Sequence, residues 1–115
     1  MLFRSPTPLL RPPYGLWSDA TLRAAGEHGF AWVVLWNIDP SDYLDPPQSV
    51  LVGRVVADAR PGAIVVMHVN ANTAAAVPAM IRAVRAQGLE PKSIDEMLGR
   101  AAYLSPANEI GRAHV

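Results

Sequence analysis

The chain has 115 residues, half of them hydrophobic and 17% charged, with ten basic residues balanced by ten acidic ones. That profile gives one small globular domain and excludes a disordered chain or a pair of domains. Scattered, balanced charge excludes a basic face for nucleic acid or anionic lipid. The lack of cysteine excludes disulfides and thiolate metal sites, and no apolar run approaches a membrane span.

In chain order, Leu9-Leu10 reads as the tail of a strand that runs into Arg11-Pro12-Pro13-Tyr14-Gly15. The paired prolines make that turn stiff and extended, able to hold a guanidinium and an aromatic ring with little entropy left to lose. Ser18 is placed to cap a helix over about 19–28, stopped by Gly29. Phe30 to Trp36 is a continuous apolar run, the pattern of a strand covered on both faces. Asn37 to Pro47 is a polar loop, and Asp45-Pro46 signals the start of a helix reaching about Ala59. Pro61-Gly62 turns the chain into a second buried strand, Ala63 to His68.

Asn72 or Thr73 then opens a helix to about Gln87, ended by Gly88, with Pro78 kinking or delaying its first turn. A fourth short strand is open at 89–92, and Ser93-Ile94-Asp95-Glu96 fits a capping box for a last helix to about Ala101. The alternation predicts an α/β fold of three to four parallel strands with helices, with the domain over 1–102 and a tail over 103–115.

Parallel βα units present function at the carboxyl ends of their strands. Three polar clusters fall at such ends: Arg11 to Gly15, Asp39 to Tyr43, and His68 to Asn72. Taken singly, each has a plain structural reading. Arg11 suits a proline-rich entry loop, Asp42 a turn, and His68 a hydrogen-bonded strand end. His28 reads as a helix C-terminal surface residue, and Trp17, Trp32 and Trp36 read as core or interface aromatics.

Taken together, the order Arg11-Pro12-Pro13-Tyr14-Gly15, then Trp36-Asn37-Ile38-Asp39-Pro40-Ser41-Asp42-Tyr43, then Pro61-Gly62-Ala63-Ile64-Val65-Val66-Met67-His68, resembles the second half of a polysaccharide deacetylase domain. This is the NodB-homology family, or carbohydrate esterase family 4. The segment from Thr73 to Gly88 resembles the helix that the family places after its histidine, and the similarity runs over about 10–99. Two positions depart from the pattern: Tyr43 replaces a usual tryptophan, and Val69-Asn70 follows His68 where an aspartate is common.

The resemblance implies an irregular (β/α) barrel, of which this would be the C-terminal portion. It implies hydrolysis of N- or O-acetyl groups from a carbohydrate with a divalent metal, usually zinc. The family's metal ligands and its aspartate base lie in motifs that precede the Arg-Pro-Pro-Tyr turn. By the same resemblance, Arg11 would pair with that base, and the Tyr14 backbone N–H would face the acetyl oxygen. Asp42 would orient and charge His68, His68 would protonate the leaving group, and Tyr43 and Val66 would line the sugar and methyl sites. An extracellular or cell-envelope setting would suit the parent, with the compartment left open.

The chain's own residues add a restriction. Its histidines are His28, His68 and His114, with no ligand spacing among them, and neither an Asp-Asp pair nor His-x-x-x-His occurs. The expectation is therefore that this chain binds no metal and is inactive alone. Residues 109–115 resemble one translated frame of a common sequencing adapter, which would make the chain a partial reading frame. A part-barrel with open apolar edges is expected to self-associate. Two rival readings are a non-catalytic α/β binding module and one subunit of a split deacetylase.

Overall fold

In a computed structural model of the chain, the described residues run from 9 to 102, the last four as backbone only. Residues 1–8 and the tail beyond residue 102, including the adapter-like segment, lie outside them. The described chain forms two compact units: one ends at Leu35 and also includes Leu98, and the other spans Trp36–Met97.

In the first unit, strand β1 (Leu9–Leu10) pairs in parallel with β2 (Trp32–Val33), in the register Leu9 to Trp32 and Leu10 to Val33. The Val34 N–H extends the ladder by donating to the Leu10 carbonyl at 2.8 Å. Helix α1 (Asp19–Glu27) connects the two strands. It begins where predicted, because Ser18 Oγ accepts from the Thr21 N–H while Thr21 Oγ1 accepts from the Ser18 N–H at 3.1 Å. It stops at Gly29, whose φ of 87° is available to glycine at no steric cost. His28 closes the helix with Nδ1 against the Ala24 carbonyl at 2.8 Å, as a C-terminal histidine should.

Leu22 and Ala25, three apart on α1, pack on Val33, with Leu10, Trp17 and Phe30 around them. The apolar run is buried from Trp32 to Leu35, yet only Trp32–Val33 form ladder strand. A ladder lasts only as long as its partner, and β1 enters the proline turn after Leu10.

In the second unit, helix α2 (Gln48–Asp58) packs on α3 (Ala71–Ala86). Leu51 and Val55 meet Ala76 and Met80, each pair four residues apart, and Val52, Val65 and Val84 complete the cluster. Helix α4 (Ile94–Ala102) starts on the predicted capping box: the Glu96 N–H donates to Ser93 Oγ, and the Ser93 N–H donates to Glu96 Oε1, both at 3.1 Å.

Four expectations change here. Asp45 does not cap α2; its φ of 56° closes a single 3-10 turn at Asp42–Leu44, and Pro47 stands at the cap. The cause is local, since Asp45 and Pro46 each precede a proline and are pushed out of the helical region. The cap of α3 is Asn70, whose Oδ1 accepts from the Thr73 N–H at 2.7 Å, and helix continues through Pro78. Ala63 to His68 makes one parallel bridge, Ile38 to Val65, instead of a strand ladder. Residues 89–92 form no strand among the described residues.

The bridge shows why pairing stays short. Asn37 Oδ1 accepts from the Ile64 N–H at 2.7 Å, so a side chain occupies a ladder position. Two residues beyond Ile38, Pro40 has no N–H to donate. The parallel α/β arrangement of the prediction holds, with less ladder than the apolar runs suggest.

Candidate functional site

The junction of Ile38 with Val65 brings two loop ends together in the second unit: the 3-10 turn at Asp42–Leu44 and the segment ending at His68. Asp42 is completely buried there. A buried carboxylate is costly unless hydrogen-bonded, and this one accepts three bonds. The His68 N–H donates to Oδ2 at 2.7 Å, the His68 ring meets Oδ1 through Nδ1 at 2.8 Å, and Thr73 Oγ1 donates to Oδ2 at 2.7 Å.

Burial alone would raise the Asp42 pKa. The backbone and ring hydrogen bonds from His68, the Thr73 hydroxyl and the attraction of a charged imidazole together outweigh it, leaving the carboxyl below its ordinary value. Asp42 is therefore an anion at neutral pH, aimed at a ring whose side chain is 48% exposed. That arrangement places the proton of the neutral ring on Nδ1 and turns Nε2 outward, away from the bond to Asp42.

The shape of the loop supports this placement. Ser41 and Asp45 flank the turn with φ of 55° and 56°, a left-handed backbone at two residues other than glycine. Asp39 Oδ1 accepts from the Ser41 N–H at 2.9 Å and offsets part of that conformational cost. Arg54 reaches from α2 to the Pro40 carbonyl at 2.8 Å, and Asn72 reaches from α3 to the Pro46 carbonyl at 2.6 Å. Both ends of the loop are thus tied to helices.

Of the residues singled out in the sequence, the structure brings Asp42, His68 and Tyr43 together. The Tyr43 ring meets the His68 ring edge-on, with centroids 5.6 Å apart, and Tyr43 is otherwise exposed. Val66 is buried two residues before His68. Arg11 and Tyr14 belong to the first unit. Arg11 is exposed, and Tyr14 is 91% exposed on a left-handed backbone with φ of 59°.

Thr73 was missed, because a threonine at a helix start reads as a cap and its true partner lies 31 residues away. A groove of about 640 Å³ in the same unit is lined by apolar residues including Met67, Val77, Met80, Ile81, Val84 and Met97, but by none of Asp42, Tyr43 and His68.

No family model matches the chain. Individual proteins do. It is 34% identical over 95 residues to a peptidoglycan-N-acetylglucosamine deacetylase of Bacillus cereus, covering 78% of this chain and 45% of that protein. It is 41% identical over 59 residues to a chitooligosaccharide deacetylase of Sinorhizobium fredii, covering 51% of this chain and 27% of that one. Among solved structures, a family 4 carbohydrate esterase from Streptomyces lividans, in complex with acetate, superposes with a TM-score of 0.65 at 32% identity, over 75% of this chain and 44% of that chain.

The chain belongs to the polysaccharide deacetylase family, carbohydrate esterase family 4. A pseudoenzyme of this family from Bacillus anthracis superposes with a TM-score of 0.75 at 32% identity, over 79% of this chain and 32% of that one. The α/β class and the partial-barrel reading agree with these family 4 neighbours. The chain spans less than half the length of each of these relatives.

Family 4 deacetylases are generally metal-dependent. The residues described here do not fit such an ion, since no three His, Asp, Glu or Cys side chains among them converge. His68, the one histidine among the described residues shown bonded to a carboxylate, already commits Nδ1 to Asp42. No described helix is long and apolar enough to cross a membrane.

Proposed function

We propose that the chain supplies the proton-donating part of a deacetylase that hydrolyses acetyl groups, by C–N amide or ester cleavage, from an acetylated carbohydrate. The supporting observation is the bond from a buried, ionised Asp42 to Nδ1 of a half-exposed His68. An imidazole oriented in this way presents Nε2 to a leaving amine or alkoxide, and the adjacent carboxylate stabilises the ring when it carries the proton.

His68 is the general acid in this reading, and Asp42 orients it and balances its charge. Tyr43, edge-on to the ring and exposed, offers an aromatic face to a sugar. Val66, buried two residues before His68, retains the role implied by the family resemblance, lining the site for the acetyl methyl. Arg11 and Tyr14 retain the roles implied by the family resemblance: Arg11 pairs with the aspartate base, and the Tyr14 N–H faces the acetyl oxygen as charge develops on it. No step is assigned to a metal, because the described residues offer no ligand set for one.

The chain alone is accordingly read as inactive. An acid without an activated nucleophile cannot complete hydrolysis. Relatives that act on peptidoglycan and chitooligosaccharides support an acetylated amino sugar as the substrate class.

The test is a chimera in which this chain replaces the matching 95 residues of the Bacillus cereus relative. Acetate release from an acetylated chitooligosaccharide is expected from the chimera, and its loss is expected on His68→Ala. A folded chimera that releases no acetate would overturn the reading. Steady acetate release from the isolated chain would overturn the assignment of inactivity.

A second reading is a non-catalytic family 4 module, supported by the likeness to the Bacillus anthracis pseudoenzyme. The intact pair of Asp42 and His68 favours the first reading. Binding of chitooligosaccharide by a chimera that releases no acetate would favour the second.

A further inference from the structure

Thr73 sits at the third position of α3 and is 3% exposed. A threonine inside a helix usually turns its hydroxyl to solvent or back to a carbonyl four residues earlier. This one donates instead to Asp42 Oδ2 at 2.7 Å. Its backbone is held as well, because its N–H donates to Asn70 Oδ1 at 2.7 Å. The same first turn is tied to the loop beyond Asp42 by the bond from Asn72 to the Pro46 carbonyl.

The carboxylate is therefore used unequally. Among the described residues, Oδ2 takes two donors, the His68 N–H and the Thr73 hydroxyl, and Oδ1 takes the imidazole. Each carboxylate oxygen has room for about two donors. With Oδ2 filled, Oδ1 is the oxygen of Asp42 left to meet the ring of His68. Rotation of the carboxylate out of its plane would break both bonds at Oδ2 between two buried side chains, where unsatisfied polar groups are costly.

We propose that Thr73 is a positioning residue: with its backbone held by Asn70 at the start of α3, its hydroxyl fixes the plane of the Asp42 carboxylate so that one oxygen meets Nδ1 of His68 and Nε2 is left for substrate. The consequence for proton donation rests on the deacetylase reading, whereas the positioning itself is a property of this chain and is measured without turnover.

The test is NMR on the full chain, comparing Thr73→Val and Thr73→Ser with the unaltered protein. Valine keeps the shape and removes the hydroxyl, and serine keeps the hydroxyl. In Thr73→Val the Asp42 carboxyl should titrate at higher pH, because one lowering hydrogen bond is gone. The Nδ1 proton of His68 should exchange with water roughly ten- to a hundredfold faster, the size expected for loss of one buried hydrogen bond to a charged group. Thr73→Ser should restore both. Unchanged readouts in Thr73→Val, or a serine variant that behaves like valine, would overturn the proposal.

If Thr73→Val does not fold, the unaltered chain decides. A Thr73 hydroxyl proton that exchanges slowly, with a magnetisation-transfer contact to the Nδ1 proton of His68, supports the proposal, and free exchange overturns it. The two readings fail separately. Shifted readouts with a folded but inactive chimera leave the positioning intact and remove the deacetylase role. An active chimera with unmoved readouts does the reverse.

Discussion

Asp42 holds His68 at two points, accepting from its backbone N–H at 2.7 Å and its ring nitrogen at 2.8 Å. One carboxylate thus fixes both the place where the Ala63 to His68 segment ends and the direction its last side chain faces. The site and the local fold are therefore coupled through a single titrating group.

The pH dependence of stability arises from that coupling. The folded-state pKa of Asp42 lies below its unfolded value of about 3.9, so the group stabilises the fold above that value and the contribution is lost as pH falls through the folded value. Glu96 acts in the same sense, lowered mainly by hydrogen bonds from the Ser93 N–H and hydroxyl. Unfolding free energy should be flat with respect to these two groups near neutrality and should fall in acid. Asp42→Asn should weaken the acid slope and cost about 1–3 kcal/mol at neutral pH. An acid slope unaltered by that substitution would refute the assignment.

Two helix caps were legible, because the chemistry of a capping box is contained in four consecutive residues. Ser18 and the Ser93 to Glu96 box act where the sequence placed them. Strand length was less legible, since it depends on a partner: Phe30 to Trp36 pairs only as far as β1 lasts, and Ala63 to His68 meets the Asn37 side chain. Asp45-Pro46 carries the start signal of a helix, but Pro47 follows it and keeps Pro46 out of the helical region, so α2 begins at Gln48. At the site, Asp42, Tyr43 and His68 were visible as polar residues at strand ends. Thr73 was hidden because its hydrogen bond crosses 31 residues.

Leu51 is the centre of the second unit's core, with no exposed surface, set among Val55, Ala76 and Met80. Leu51→Ala should cost about 2–5 kcal/mol, combining lost burial with a residual cavity. Val50, its neighbour in sequence, is 38% exposed, and Val50→Ala should change stability by less than about 1 kcal/mol. Chemical denaturation of the two variants checks the contrast. Equal losses would mean that α2 does not face α3 as described.

Exposed apolar surface is extensive for so small a protein. Val69 is fully exposed and Leu16 is 74% exposed, and the groove of about 640 Å³ is lined by Val77, Met80, Ile81 and Val84. Exposed apolar side chains and an open apolar groove favour association or dye binding. Light scattering should show self-association that rises with concentration, together with fluorescence of a hydrophobic dye in the native state. A monodisperse monomer that leaves the dye dark would contradict this.

Tyr14 carries its strain without compensation from packing. Its φ of 59° is left-handed, a conformation that costs an ordinary residue about 1–2 kcal/mol, and its side chain is 91% exposed. Gly15 comes next with φ of 67°, so two consecutive residues turn the same way after the proline pair. Tyr14→Gly removes the steric cost and sacrifices almost no buried surface, while the added freedom of the unfolded chain offsets part of the gain. The net result should be a protein as stable as the original, or more stable by up to about 1 kcal/mol. Tyr14→Val should be less stable than either, because branching at Cβ makes the left-handed region harder still to reach. Thermal and denaturant unfolding of the three proteins checks the order Gly, Tyr, Val. If valine proved as stable as glycine, the left-handed turn would not be the conformation the chain adopts there.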